Sequence, residues 1–266
     1  MSNQSFAGPM VLPNFVNVQG LSLAYATDTT LTVGIGQVSN STQGTETGGN
    51  FVLSYPAATT INFGTTGFNA LDTGTFAANS VYAIYAIGSS TGLLQPGFVA
   101  SLNVTNTPVM PSPASPALGS YDLIKRIGWW TSNGSTHLYS TLTQSILYHG
   151  TRFYQYNTGV TIGVLTLATS LTEQTFVTAP ANVIVQFNGT FTPNSGTDTL
   201  KMSNVSTSGT GIVISTGGAT TAYPVGPFTF LAGHDATTTS LAAVWLIATS
   251  ASDAATINVT GFYDSL

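Results

Sequence analysis

The chain has 266 residues, of which 42% are hydrophobic and 5% charged, with a formal net charge of −5 and no cysteine. Ordinary globular domains carry roughly 25% charged residues, so solubility here rests on Thr, Ser, Asn and Gln, and ionic repulsion between neighbouring copies is weak. Only 4 Lys and Arg residues argue against nucleic-acid binding and anionic-membrane docking, and the missing cysteines remove disulfides, Cys–zinc sites and thiol catalysis.

With 11 Tyr, 14 Phe and 3 Trp the chain is too aromatic to be disordered, and its length suits one large domain or two of roughly 100–150 residues. The first ten residues show no basic region followed by an apolar stretch, so cytoplasmic synthesis without signal-dependent export is expected. The longest apolar run, 241–248, has strand length, far short of the roughly 20 residues of a membrane-spanning helix.

Helix-period patterns are absent, whereas short runs of Val, Ile, Thr, Tyr and Phe recur between Gly, Asn, Ser and Pro, which predicts an all-β fold. In chain order, strands are expected at 21–26, 30–37, 51–55, 60–63, 80–87, 97–102, 125–131 and 136–142. Asn133-Gly134 between the last two is a strong hairpin signal. The run 42–50 has loop composition, and 108–120, with prolines at 108, 111, 113 and 116, reads as an ordered surface strap. Further strands are expected at 160–168, 173–178, 182–191, 199–202, 212–215, 228–231, 242–249 and 256–263, and eight antiparallel strands suit a jelly-roll-like sandwich. The expected organisation is an N-terminal β domain over 1–144, an aromatic connector over 145–159 packed between domains or against a neighbouring subunit, and the C-terminal sandwich over 160–266.

Candidates for chemistry are few. His137, His149 and His234 have no partner at metal-ligand spacing, and adjacent His234-Asp235 would point to opposite strand faces. General acid–base work needs paired carboxylates. Glu46 lies in a Gly/Thr-rich loop and Glu173 opens a strand, while Asp28, Asp72, Asp198, Asp235 and Asp253 occupy turn contexts in which aspartate caps its own backbone. Neither a G-x-S-x-G elbow nor a strand–Gly-rich-loop–helix fingerprint is present. No enzyme activity, metal or cofactor is therefore expected. Tyr148, Phe153, Tyr154 and Tyr156 are the densest aromatic cluster, suited to an interface or to stacking on a glycan.

The segment YDLIKRIGWW, from Tyr121 to Trp130, holds two of the four basic residues and two of the three tryptophans. Strand alternation predicts Leu123, Lys125, Ile127 and Trp129 on one face, and Ile124, Arg126, Gly128 and Trp130 on the other. Arg126 would then lie beside Trp130, with Gly128 leaving room for the indole or for close backbone approach, and with Asp122 as candidate ion partner. Tyr121, Lys125, Arg126, Gly128, Trp129 and Trp130 are expected to form a structural latch.

The run GFVAS at 97–101, the Pro-rich spacer, Tyr121, Lys125, Arg126, Ile127, Gly128, the hairpin and Gln144 together resemble a module of bacteriophage virion structural proteins. That resemblance covers roughly 70–144, and the sequence departs from it after Gln144. It implies a virion protein of the tail, tail-fibre or capsid decoration type, made in the host bacterial cytoplasm. Together with the near-chargeless, cysteine-free β sequence it makes a capsid decoration or head-surface (cement or head-fibre) protein the expected reading. Its implied partners are copies of itself, as a homotrimer, and other virion proteins such as the major capsid protein. The alternative implied is a tail-fibre or tail-tip protein whose C-terminal sandwich binds host surface glycan.

Overall fold

The computed structural model describes residues 18–40, 51–102, 108–113, 118–147, 151–170, 172–181, 183–203, 211–215, 221–234 and 241–265. Among them the chain is all-β, with no α-helix. In the N-terminal half, β1 (Val18–Gly20), β4 (Gly36–Asn40) and β5 (Phe51–Tyr55) form a three-stranded antiparallel sheet in the order β1-β4-β5. A seven-stranded sheet contains β2 (Leu23–Thr27), β3 (Thr30–Val33), β6 (Thr59–Thr66), β7 (Ala70–Leu71), β8 (Val81–Gly88), β9 (Gly97–Ser101) and β10 (Leu123–Thr131). Its order is β10-β8-β9-β7-β6-β3-β2, antiparallel except where the short β7 runs parallel to β6 and β9.

Strand β8, VYAIYAIG, explains why this half holds together. All eight residues are buried, so both faces of the strand pack, and Tyr82 meets Phe63 edge-on at 5.1 Å. Tyr55 lies across Phe98 at 4.4 Å and donates to the Ile87 and Gly97 carbonyls, which fastens the three-stranded sheet to the larger one. In the part of the strap that is described, the Val109 N–H is held by the Asp72 carboxylate at 3.1 Å, and Met110 packs against the core. The loop expectation for 42–50 falls outside the described residues.

Two expected strands differ. The run 30–37 breaks at Gly34–Ile35, where the chain crosses from one sheet to the other: Leu21 N–H bonds to Ile35 O, and Gly34 N–H to Ser22 O. The run 136–142 is not a strand. Asn133 makes a tight turn in which its side-chain carbonyl accepts from Ser135 and His137, and only a single bridge, Ser132↔Leu138, follows. The Leu138 N–H goes to Asp28 O, so the ladder stops there.

The second half contains β11 (Leu142–Ile146), β12 (Thr151–Thr166), β13 (Thr172–Pro180), β14 (Ile184–Thr192), β15 (Thr199–Ser203), β16 (Gly211–Ser215), β17 (Tyr223–Leu231), β18 (Gly233–His234), β19 (Leu241–Ala248) and β20 (Ala254–Ser265). One sheet has the order β11-β12-β20-β14-β17, the other β13-β19-β15-β16, with β18 beside β19. Apart from the β15–β16 hairpin and the short β18, consecutive strands from β12 onward alternate between the sheets. The chain thus passes back and forth between two antiparallel sheets. Val185, Phe187 and Phe191 from one sheet and Leu200, Met202, Val244 and Leu246 from the other lie in the shared core, as period-2 alternation requires.

Described residues of the segment expected as a connector, 145–159, belong to this sheet: Ser145 and Ile146 end β11, and residues from Thr151 onward belong to the 16-residue β12. A wide irregularity after Gln155 divides β12 into two stretches, and a smaller bulge follows Thr161 within the second. The first carries the aromatics toward the N-terminal half, and the second runs on in the sandwich.

Candidate functional site

Of the residues singled out in YDLIKRIGWW, Lys125, Arg126, Gly128, Trp129 and Trp130 lie on β10, an outermost strand of the seven-stranded sheet, and Tyr121 precedes it. A β-bulge at Ile127 changes the parity of the strand, because Arg126 pairs with Tyr85 and Gly128 with Ile84. Arg126 and Trp129 therefore share a face, and the guanidinium lies 4.4 Å from the Trp129 ring, within cation–π range. The expected Arg126–Trp130 neighbourhood is thus corrected: Trp130 is fully buried opposite Tyr82, on the other face. The expected Asp122 partner is corrected too. Asp122 accepts from the Ser90 N–H and hydroxyl, while Arg126 Nη1 bonds both oxygens of Asp264, at 3.0 and 3.1 Å. Asp264 belongs to β20, so this ion pair joins the two halves of the molecule.

The two outermost strands of the seven-stranded sheet, β10 and β2, approach each other closely. A Cβ on Gly128 would meet Leu23 Cδ1 at 2.9 Å and collide with the Tyr154 hydroxyl. The sheet curls toward closure, and side chains of the β11–β12 hairpin fill its seam. The Leu23 N–H donates to Gln144 Oε1 at 2.8 Å, and the Trp129 N–H donates to the Tyr154 oxygen at 3.0 Å. Gln144 Nε2 also donates to the Tyr154 oxygen, at 2.8 Å, linking the two edges. The room at Gly128 thus serves a phenol, where the sequence suggested an indole. Open edge N–H groups cost free energy when buried without partners, and one amide and one phenol satisfy an edge group on each side.

Further along the same edge, Thr131 Oγ1 and Tyr156 Oη lie 2.8 Å apart. Tyr154 stacks on Phe262 at 4.6 Å, and Tyr156 meets Tyr139 edge-on at 5.4 Å. Both tyrosines are buried, so they are intramolecular interface aromatics that a glycan cannot reach. Burial pushes the Tyr154 phenol up to about 12, with the Asp264 carboxylate adding to the rise. Phe153 is half-buried and stacks on Tyr263 at 4.5 Å, on the opposite side of the sheet. Tyr148 lies outside the described residues.

Sequence reasoning missed the second cation of the seam. Arg152, 1% exposed, donates through Nη1 to Leu21 O and Gln144 Oε1 and through Nη2 to Gly20 O, at 2.9 to 3.0 Å. Desolvation lowers its pKa, partly countered by Tyr154 and by Asp264, its partner across the β12–β20 ladder. Two arginines thus flank one carboxylate. The available signal was the placement of Arg152 within an aromatic run in a chain that otherwise avoids cations.

Lys125 and Tyr121 stand apart from this cluster. Lys125 is half-buried on the face opposite Arg126, with its pKa lowered by burial and then by the nearby Arg126 charge. Tyr121 stacks on Phe68 at 5.8 Å and donates to Gln95 O. The aspartates behave as backbone caps: Asp72 accepts from Thr73, Asp198 from Ser195, and Asp253 from Asn194 and Ser250. His137 lies 3.7 Å from Asp28 with both side chains exposed. No group of three or more His, Asp or Glu side chains able to hold a metal occurs among the described residues. Glu46, His149 and Asp235, and the side chain of His234, fall outside them.

No protein-family model and no curated protein matches the chain. Among solved structures, a Bacillus thuringiensis Cry1Da tryptic core variant aligns at 11% identity and a TM-score of 0.16, over 94% of this chain and 50% of that one. The chain spans about half the length of that structure, and a likeness this slight carries no argument.

Proposed function

We propose that the chain is a bacteriophage virion structural protein, a capsid decoration or head-surface protein that acts as an oligomer, expected to be a homotrimer, on the major capsid protein. The observation that carries this reading is the use made of the scarce ions. Arg126, Arg152 and Asp264 join strands far apart in sequence into a seam between β units. A scaffold that must keep its shape while its surface is covered by neighbours needs such internal fastening. The module that resembles virion proteins supplies the β10 side of this seam and Gln144.

An antibody against the chain, imaged on intact virions by electron microscopy, tests the reading. Labelling of the head is the expected result. Labelling confined to the tail would replace it with the tail-fibre or tail-tip role, and virions without label would end both.

A further inference from the structure

The outer face of the sheet β11-β12-β20-β14-β17 carries an apolar row in register. Phe153 pairs with Tyr263, Tyr263 with Ile184, and Ile184 with Leu231, so the row crosses four strands. Ile184 is 44% and Leu231 54% exposed, and Phe153 and Tyr263 are half-buried. The aromatic end is held rigid: the two rings stack at 4.5 Å, and the Phe153 ring lies so close over Gly261 that a Cβ there would meet it at 2.9 Å. Ordering this end on binding therefore costs little side-chain entropy. Because each ring has one face against the other, the pair is not a platform on which a sugar can stack on both rings.

Charge decides the occupant. The five strands contain two charged residues, Arg152 and Asp264, and both are buried on the opposite face. Beside the row this outer face presents Gln155, Gln186 and Thr229, which donate and accept equally. An ordinary protein surface would bring ions against this sheet and leave them desolvated and unpaired. A chain with 5% charged residues does not. Five strands at about 4.8 Å spacing and about nine residues at 3.3 Å give a face of roughly 700 Å², close to the ~800 Å² per partner of a standard interface.

We propose that this row is the surface through which a second copy of the chain docks. The proposal deepens the oligomer of the virion reading and names its contact. Ile184→Lys combined with Leu231→Glu tests it, since the two new side chains face each other across the ladder and satisfy one another in the monomer. Light scattering behind size-exclusion chromatography gives the mass of the full chain. Wild type should run as a multiple of 27.4 kDa at micromolar concentration. The double variant should dissociate, its apparent Kd weakened by at least about 100-fold.

Val213→Lys, at an exposed position on β16 of the other sheet, should leave association unchanged. Circular dichroism checks folding, and Ile184→Thr with Leu231→Thr replaces the ionic pair if that pair misfolds. A monomeric wild type, or a folded double variant that associates as tightly as wild type, would overturn the proposal. Head labelling of virions with association indifferent to these changes removes the row alone. Association through the row by a chain absent from virions removes the virion reading alone.

Discussion

Arg126 and Asp264 form an ion pair of unequal partners, with side chains 27% and 6% exposed. Removing Arg126 leaves a largely buried carboxylate that still has the Arg152 charge nearby, whereas removing the Asp264 charge leaves Arg152 buried without a counter-ion. Arg126→Ala is expected to cost about 2 kcal/mol and Asp264→Asn about 3–4 kcal/mol, and the two should be strongly non-additive in a double-mutant cycle read by denaturant unfolding. Equal or additive costs would contradict the three-ion arrangement. At Gly128 a methyl group has no room beside the Tyr154 hydroxyl. Gly128→Ala should lower stability by about 1–3 kcal/mol, and the paired change with Tyr154→Phe should recover part of that loss.

Tyr154 also sets a pH dependence. Its folded-state pKa of about 12 lies above the ordinary value near 10, so the buried neutral phenol is favoured by folding. Below pH 10 both states are protonated and the contribution is complete. Between pH 10 and 12 the unfolded chain releases the proton first, and stability falls. Burial raises Tyr55, Tyr82 and Tyr85 in the same direction. The melting temperature should therefore be flat near neutrality and drop steeply above pH 10. Tyr154→Phe should show a lower plateau and a shallower drop, and an unchanged alkaline slope would count against this role.

At the scale of elements, the seam makes a claim about edge strands. The Leu23 and Trp129 amides lie on outermost strands, yet they are bonded by Gln144 and Tyr154. Hydrogen exchange should find both as protected as interior amides. Gln144→Ala should speed exchange at Leu23, and Tyr154→Phe at Trp129, by roughly tenfold or more, the equivalent of about 1.4 kcal/mol of local opening. Exchange unchanged in both variants would mean that the edges are covered in some other way.

Much of the element layout was legible in the sequence. Strands such as 51–55, and the alternating runs that became β14 and β20, could be read because period 2 and β-branched content are local properties. The Asn133 turn was legible for the same reason. The bulge at Ile127 was not, since a one-residue irregularity leaves no mark in composition yet moves Arg126 from Trp130 to Trp129. Nor was Asp264, which lies 138 residues from Arg126 and becomes its neighbour only when the C-terminal strand β20 inserts between β12 and β14. The roles of Arg152 and Gln144 were hidden for a related reason: their partners include backbone groups of Gly20, Leu21 and Leu23, which no side-chain pattern announces.

For the whole molecule, the last strand completes the five-stranded sheet and, through Asp264 and Phe262, the seam to the first half. The two β units should consequently unfold together. Equilibrium denaturation read by pulsed hydrogen exchange, following peptides from β8 and β19 in the full chain, tests this most directly. Wild type should lose protection in both in a single transition, and Asp264→Asn should move both midpoints down together. Two separated transitions, with β8 untouched by the change at Asp264, would contradict a single fastened body.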